Sequence, residues 1–219
     1  MGADVRQLHL PDSGAAGVGA KRNAPSAQRN LEPILAVHDR VLPPKGRALE
    51  IASGTGQHIA AFAHRYTGLI WQPTDVNPEN LASISAWSEG AENVAAPVAL
   101  NACQGGWAGE FGARDVICLT NLLHLISEPE AERLLSEVGK ALTPGGLFCL
   151  YGPFRREGQL VSDGDRAFDA SLRQQDPAIG YKDIGWVGNR LAAAGLQHED
   201  LIAMPADNLM LITRRPSLD

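Results

Sequence analysis

The sequence is poor in the residues that build metal centres and disulfide frameworks. It has three cysteines, none of them in a Cys-x-x-Cys pair, and its six histidines show no spacing typical of metal ligands. Cys118 and Cys149 lie within apolar runs, which is typical of small buried core residues rather than of ligands or nucleophiles. We therefore expect a protein that needs no metal.

Excess positive charge and long apolar stretches are also missing. The net charge is -6 and the isoelectric point is near 5.5, which gives no support for a nucleic-acid surface. No apolar run approaches the length of a membrane span, and the N-terminus carries no hydrophobic signal segment. We expect a cytoplasmic protein, monomeric or homodimeric, that contacts neither nucleic acid nor membrane.

The 219 residues are enough for one large domain. Residues 1–20 are rich in glycine and alanine and have no clear period, so they predict a flexible tail before a single domain over 21–219. Segment 157–183 is long and polar for a connection between elements, which is typical of a lid over a functional site.

Apolar runs and amphipathic segments alternate along this domain. The periodicity predicts helices at 26–41, 57–66, 78–89, 129–142 and 184–194. Strands are predicted at 48–52, 69–74, 94–100, 116–120, 147–151, 197–203 and 208–214.

This order predicts an α/β fold with a mostly parallel seven-stranded sheet and helices on both faces. The last two strands are separated by a short polar loop and form an antiparallel hairpin. A C-terminal hairpin of this kind is the Rossmann-like arrangement of class I methyltransferases, and an ordinary dinucleotide-binding dehydrogenase domain does not normally end this way.

A glycine turn after the first strand is the most informative local feature. Glu50 ends an apolar run, and Gly54 and Gly56 lie just before a predicted helix. Asp75 ends the next apolar run, at the place where nucleotide-binding α/β folds hold ribose hydroxyls. Ile59 stands where a nicotinamide-binding turn has its third glycine, so the pattern favours S-adenosylmethionine (SAM), which carries no phosphate.

The roles of these residues follow from the chemistry of the ligand. Glu50 is expected near the cationic methionine amino group, and Asp75 can accept hydrogen bonds from two ribose hydroxyls. The remaining cofactor-binding candidates lie beside the turn or after a neighbouring strand: Ala52, Ser53, Gly54, Gly56, His58, Asn77, Asn101, Ala102 and Asn121.

Several segments together resemble the methyltransferase-like 26 family, long catalogued as a domain of unknown function. The similar segments are 24–34, 49–58, 121–126, 151–154, 168–172 and 204–209. The resemblance runs from about residue 21 to the end and implies a SAM-dependent methyltransferase fold, with Arg29 and Asn30 of the first segment near the cofactor. The chain departs from the family pattern at 101–102, at 180–183 and at Asp207, so the resemblance leaves the acceptor open.

The acceptor is expected at the carboxyl ends of the strands, where open α/β sheets bind ligands. His124 is the candidate general base, because the unperturbed pKa of histidine is near ~6.5, and Tyr181 is the second catalytic candidate. The candidate substrate-binding residues follow the fifth strand or lie in the lid and the helix after it: Tyr151, Phe154, Asp169 and Trp186.

The sequence therefore predicts a SAM-dependent methyltransferase that releases S-adenosylhomocysteine (SAH). Methyl transfer would proceed by in-line displacement to a small-molecule acceptor, and the aromatic residues of the lid region suit an aromatic or heterocyclic one. Two alternatives stay open: an NAD(P)-dependent oxidoreductase, and a catalytically inactive SAM-binding interaction module.

Overall fold

The structure, a computed structural model, describes residues 8–10 and 19–217. Helices α1 to α7 are Pro25–Val41, Gln57–Arg65, Pro78–Trp87, Ala108–Phe111, Glu128–Ala141, Asp163–Gln175 and Ile184–Ala193. Strands β1 to β7 are Gly46–Ile51, Leu69–Asp75, Val98–Ala99, Arg114–Thr120, Leu142–Gly152, Gln197–Ala203 and Leu209–Arg214. Within the described residues, no helix combines the length and apolar character needed to cross a membrane.

The strands form one seven-stranded sheet in the order β3-β2-β1-β4-β5-β7-β6. Strands β1 to β5 pair in parallel, whereas β7 runs antiparallel to both β5 and β6. The predicted α/β fold, with its mostly parallel sheet and C-terminal antiparallel hairpin, is therefore confirmed. Because the strand order reverses between β1 and β4, their carboxyl ends border the crevice in which such sheets bind ligands.

The core lies on both faces of the sheet, as the alternation along β4 shows. Ile117 and Leu119 pack into one apolar cluster with α5 and α7, and Val116 and Cys118 pack into the other with α1 and α2. Successive side chains of a strand point to opposite faces, so a strand covered on both sides reads as a continuous apolar run. This explains why the central strands were visible in the sequence.

The third strand is shorter than the predicted 94–100. Pro97 has no N–H to donate to a ladder, and the backbone carbonyl of Ala96 accepts instead from the side chain of Gln72 at 2.9 Å. Only Val98–Ala99 pairs as a strand, with an isolated bridge between Val94 and Trp71. The proline thus divides a segment whose apolar pattern predicts one strand.

Two further segments differ from prediction. The fifth strand, predicted over 147–151, begins earlier, because β5 runs over Leu142–Gly152 and its pairing with β4 shifts register between Arg114 and Val116. The connection 157–183 contains α6. Most of the predicted tail lies outside the described residues, but residues 8–10 pack beside α6.

Candidate functional site

The glycine turn between β1 and α2 has left-handed backbone at three positions. Ala52, Gly54 and Gly56 have φ values of 54°, 59° and 90°. A side chain at Gly56 would put its Cβ 2.7 Å from the backbone of Ile84, whereas one at Gly54 would meet nothing within 4 Å. Gly56 is therefore required by the packing of α2 against α3, and Gly54 leaves open space beside the turn.

Asp75, at the end of β2, holds this turn in place. Its carboxylate is buried and accepts from the backbone N–H of Gly54 and of Asn77, each at 2.9 Å. An ionised carboxylate has about four acceptor sites. Asp75 can therefore organise the turn and still accept hydrogen bonds from hydroxyl groups of a ligand.

Glu50, near the end of β1, is a buried acidic residue with an unsatisfied oxygen. Its side chain is 2% exposed, and its Oε2 has no hydrogen-bond partner. Burial, with the negative charge of Asp75 added, raises the pKa of Glu50 to about 8. A buried acid with an unused oxygen fits a cationic ligand group, which would supply both the missing donor and the missing charge.

The start of α1 closes over the turn through side-chain hydrogen bonds. Gln57 accepts from the backbone N–H of Ala24 at 2.6 Å and from the Thr55 hydroxyl at 2.8 Å. Asn30 pairs with His58 Nε2 at 2.7 Å. Burial lowers the pKa of His58 to about 4, so this imidazole is neutral at physiological pH.

A second group of side chains comes from the loop after β4 and from the 157–183 connection. The rings of His124, Phe168 and Tyr181 contact one another, with centroids 5.7 to 6.2 Å apart. Burial, with the positive charge of Lys182 added, lowers the pKa of His124 to about 3, and its Nδ1 is buried without a hydrogen-bond partner. The Tyr181 hydroxyl donates to Asp165 at 3.2 Å, and burial raises its pKa above the ordinary value.

Main-chain and ionic contacts fix this aromatic group. The N–H of Gly180 donates to the carbonyl of His124 at 3.0 Å, and Asp169 accepts from the N–H of Tyr181 at 2.7 Å. Asp169 also pairs with Arg155 and Arg173 at 3.0 and 2.9 Å. Residues far apart in the sequence are thereby held as one wall.

A cavity of about 530 Å³ joins the glycine turn to this aromatic wall. This volume is typical of a small-molecule site. The predicted site residues that line it are Glu50, Ala52, Ser53, Gly54, His58, Asp75, Asn121, His124 and Tyr181. The structure thus brings the predicted donor side and the predicted catalytic side into one space.

Other predicted site residues do not line the cavity: Arg29, Asn30, Gly56, Asn77, Asn101, Ala102, Tyr151, Phe154, Asp169 and Trp186. Asn77 caps α3 by accepting from Glu79, and Asn101 accepts from the backbone N–H of Cys103. Phe154 and Trp186 belong to the core beneath the sheet.

The sequence-based interpretation missed other lining residues, namely Leu10, Ala24, Ser26, Ala27, Thr55, Asn80, Thr120, Leu122, Leu125, Pro153, Ala206 and Asn208. Leu10 comes from the described residues before α1. The N–H of His9 donates to the side chain of Gln175 at 2.8 Å, and that side chain donates back to the carbonyl of His9 at 3.2 Å. This reciprocal pair holds Leu8 and Leu10 against α6, and the sequence carries no signal for it.

The family model described as "Protein of unknown function (DUF938)" matches residues 21–215. The chain belongs to this family. The match covers every helix and strand of the described domain, from α1 to the terminal hairpin, and all described cavity-lining residues except Leu10.

Several solved structures with a similar fold are described as O-methyltransferases, and another is described as bound to SAH. An O-methyltransferase family protein from Burkholderia thailandensis is 18% identical, with a TM-score of 0.75 over 89% of this chain and 58% of its own. An O-methyltransferase family 2 protein from Planctomyces limnophilus, in complex with apigenin, is 18% identical, with a TM-score of 0.68 over 86% and 61%. PigF with SAH is 17% identical, with a TM-score of 0.68 over 85% and 56%.

These similarities show the fold: a Rossmann-like class I methyltransferase domain. The chain spans little more than half the length of these proteins. At such low identity the similarity establishes the fold, and any conclusion about activity must rest on the residues of the site.

Gly54 and Gly56 offer a matched pair of substitutions. Gly56→Ala should lower the free energy of unfolding by at least about 2 kcal/mol, because a left-handed backbone and a clash with Ile84 add together. Gly54→Ala should cost only about 1 kcal/mol, the price of the left-handed conformation alone. Urea unfolding of both variants measures the difference, and equal losses would contradict the packing role of Gly56.

Glu50 should make the ligand-free protein less stable as the pH rises. The unfolded state releases this proton near the ordinary pKa, whereas the folded state keeps it up to about pH 8. Between these limits Glu50 should lower the free energy of unfolding by roughly 1.4 kcal/mol per pH unit. Urea unfolding at pH 5 and pH 8 should show this slope reduced in Glu50→Gln and kept in Glu89→Gln, which alters an exposed acid. Identical slopes in all three proteins would refute this account.

Proposed function

We propose that the protein is a SAM-dependent methyltransferase that acts on an uncharged small molecule with an aromatic or heterocyclic ring. The observation that carries this proposal is the single cavity that contains both the Glu50–Asp75 pair and the His124–Tyr181 wall. The resemblance to the methyltransferase-like 26 family supports the same conclusion.

One half of the cavity, lined by residues of the glycine turn together with Glu50 and Asp75, suits SAM; we call it the donor half. When bound, SAM supplies an electrophilic methyl group on a sulfonium. Glu50 would accept from the methionine ammonium through its unpartnered Oε2, and Asp75 would accept from the ribose hydroxyls. The open side of Gly54 lets a ligand approach the backbone, as SAM requires of this turn.

The other half of the cavity suits a flat, uncharged acceptor. Phe168, Tyr181 and Leu125 give it apolar walls, and the acidic side chains among the described lining residues are Glu50 and Asp75 of the donor half. His124 is neutral at physiological pH, so its imidazole can accept a hydrogen bond from the acceptor, but a pKa lowered to about 3 makes it a weak base. The walls would orient the nucleophile and keep water from the reacting atoms.

The oxidoreductase alternative fits the site less well. Ile59, in place of a third glycine, is fully buried in the core. The turn therefore lacks the third glycine of a dinucleotide-binding turn, and the side chain at that position packs in the core. The inactive-module alternative differs from the proposal only in turnover, so it needs a functional test.

Calorimetric titration with SAH and with NADH separates the first two functions. SAH should bind, and its affinity should rise with pH up to about 8, because binding requires Glu50 to release its proton. Glu50→Gln should weaken SAH binding and abolish this pH dependence, whereas Glu89→Gln should change neither. Binding of NADH without SAH would overturn the proposal. SAH binding without methylation of any compound in a broad acceptor screen would favour the inactive module.

Leu10 should influence which acceptor is used. Leu10→Ala enlarges the acceptor half and should shift the preference towards bulkier acceptors by about tenfold, the scale on which apolar pockets discriminate. Leu8→Ala is the matched control, because Leu8 packs against the same α6 cluster but does not line the cavity. Relative kcat/KM values for acceptors of increasing size measure the shift, with SAH affinity expected to stay unchanged. Equal shifts in both variants would mean that Leu10 acts only through packing.

A further inference from the structure

A buried cluster of soft ligand atoms lies away from the cavity, in the core that the sheet forms with α1. Cys118 of β4 and Cys149 of β5 are direct register partners, and His38 comes from the last turns of α1. The two thiol sulfurs and one imidazole nitrogen all lie within 4.8 Å of one another. The sequence spacing gave no sign of this group, because its members come from three separate elements.

The cluster has an unsatisfied polar atom. His38 is 2% exposed, and its Nδ1 has no hydrogen-bond partner. Its neighbours Phe62 and Tyr66 present aromatic rings at centroid distances of 4.9 and 6.2 Å. A buried imidazole nitrogen without a partner destabilises the fold, and a coordinate bond formed by Nδ1 itself would offset that cost.

The separations suit a bound metal ion. Metal–sulfur and metal–nitrogen distances of about 2.3 and 2.0 Å place ligand atoms of one ion roughly 3.5 to 4.5 Å apart. The three side chains are already within 4.8 Å, so small rotations would bring them to coordination distance. Strand pairing sets the positions of the two cysteines, which leaves α1 to position the histidine.

We propose that His38, Cys118 and Cys149 form a three-coordinate site for a thiophilic metal ion, Cu(I) above all. Two sulfurs and an imidazole are a soft ligand set, which selects Cu(I) or Zn(II) over Mg(II) or Ca(II). Structural zinc sites have four ligands. No fourth His, Cys, Asp or Glu joins the cluster among residues 8–10 and 19–217, and the side chains are too deeply buried for water to complete the shell.

The burial also predicts when the ion enters. The cysteines lie on the sheet and the histidine on a helix that covers it, so the site is complete only once α1 has docked. Metal binding would therefore be coupled to folding, and the bound ion would stabilise the packing of α1. This role is independent of the proposed methyl transfer, because none of the three residues lines the cavity.

The test is metal content after refolding. The full chain is unfolded and reduced, then refolded without oxygen in the presence of Cu(I) or of Zn(II), desalted and analysed by mass spectrometry for both metals. Wild type should retain roughly one Cu(I) per chain and show a raised unfolding midpoint. Cys118→Ala and Cys149→Ala should retain almost none, and Cys103→Ala, which alters the cysteine outside the cluster, should behave as wild type.

Each other outcome is also decisive. Retention of one Zn(II) and no Cu(I) would support the site but overturn the choice of ion. Wild type without either metal, or equal retention in Cys118→Ala and wild type, would overturn the site. If the cysteine variants do not fold, His38→Leu removes one ligand and leaves both thiols, and it should lose the metal. One free thiol instead of three in denatured, unreduced protein would identify a disulfide instead.

Discussion

The hydrogen bonds that Asp75 accepts from Gly54 and Asn77 join the ends of two neighbouring strands, and the cavity depends on them. They fix a turn whose backbone is left-handed at several positions, a conformation that does not persist without support. They also hold the buried carboxyl group of Asp75 beside Glu50. Together with the hydrogen bonds between Ser53 and Thr74, the Asp75 side chain holds the turn and one wall of the cavity.

The same arrangement lowers the stability of the ligand-free fold, and a cationic ligand would restore it. Glu50 lies close enough to Asp75 for the two charges to oppose each other, and its Oε2 has no donor. A neutral side chain at this position would fold more easily, but it would give a cationic ligand nothing to bind. Stability and binding therefore favour opposite residues at position 50, which is typical of a functional site.

Local and near-local features could be predicted from the sequence. The sheet, the hairpin and the Glu50, Gly54 and Asp75 positions follow from apolar runs and from turn chemistry within one βαβ unit. The third strand was predicted too long because apolar pattern was weighed and Pro97 was not. Lining residues such as Ser26 and Asn208 lie in segments that resemble the family, but they were missed as site residues because no periodicity shows which side chain of a segment meets the cavity.

The two halves of the cavity differ in how they are built. This difference explains why the residues around the turn could be predicted from the sequence, whereas most contacts of the acceptor half could not. The donor half comes from adjacent strands and one turn, so sequence neighbours are spatial neighbours there. The acceptor half joins His124, Phe168 and Tyr181 through contacts such as the bond from Tyr181 to Asp165, and Gln175 ties in Leu10 across most of the chain. Substitutions can therefore reshape the acceptor wall without disturbing the turn that Asp75 holds. Under the proposed function, a cavity with one fixed half and one adjustable half could keep a common methyl donor while its acceptor changes.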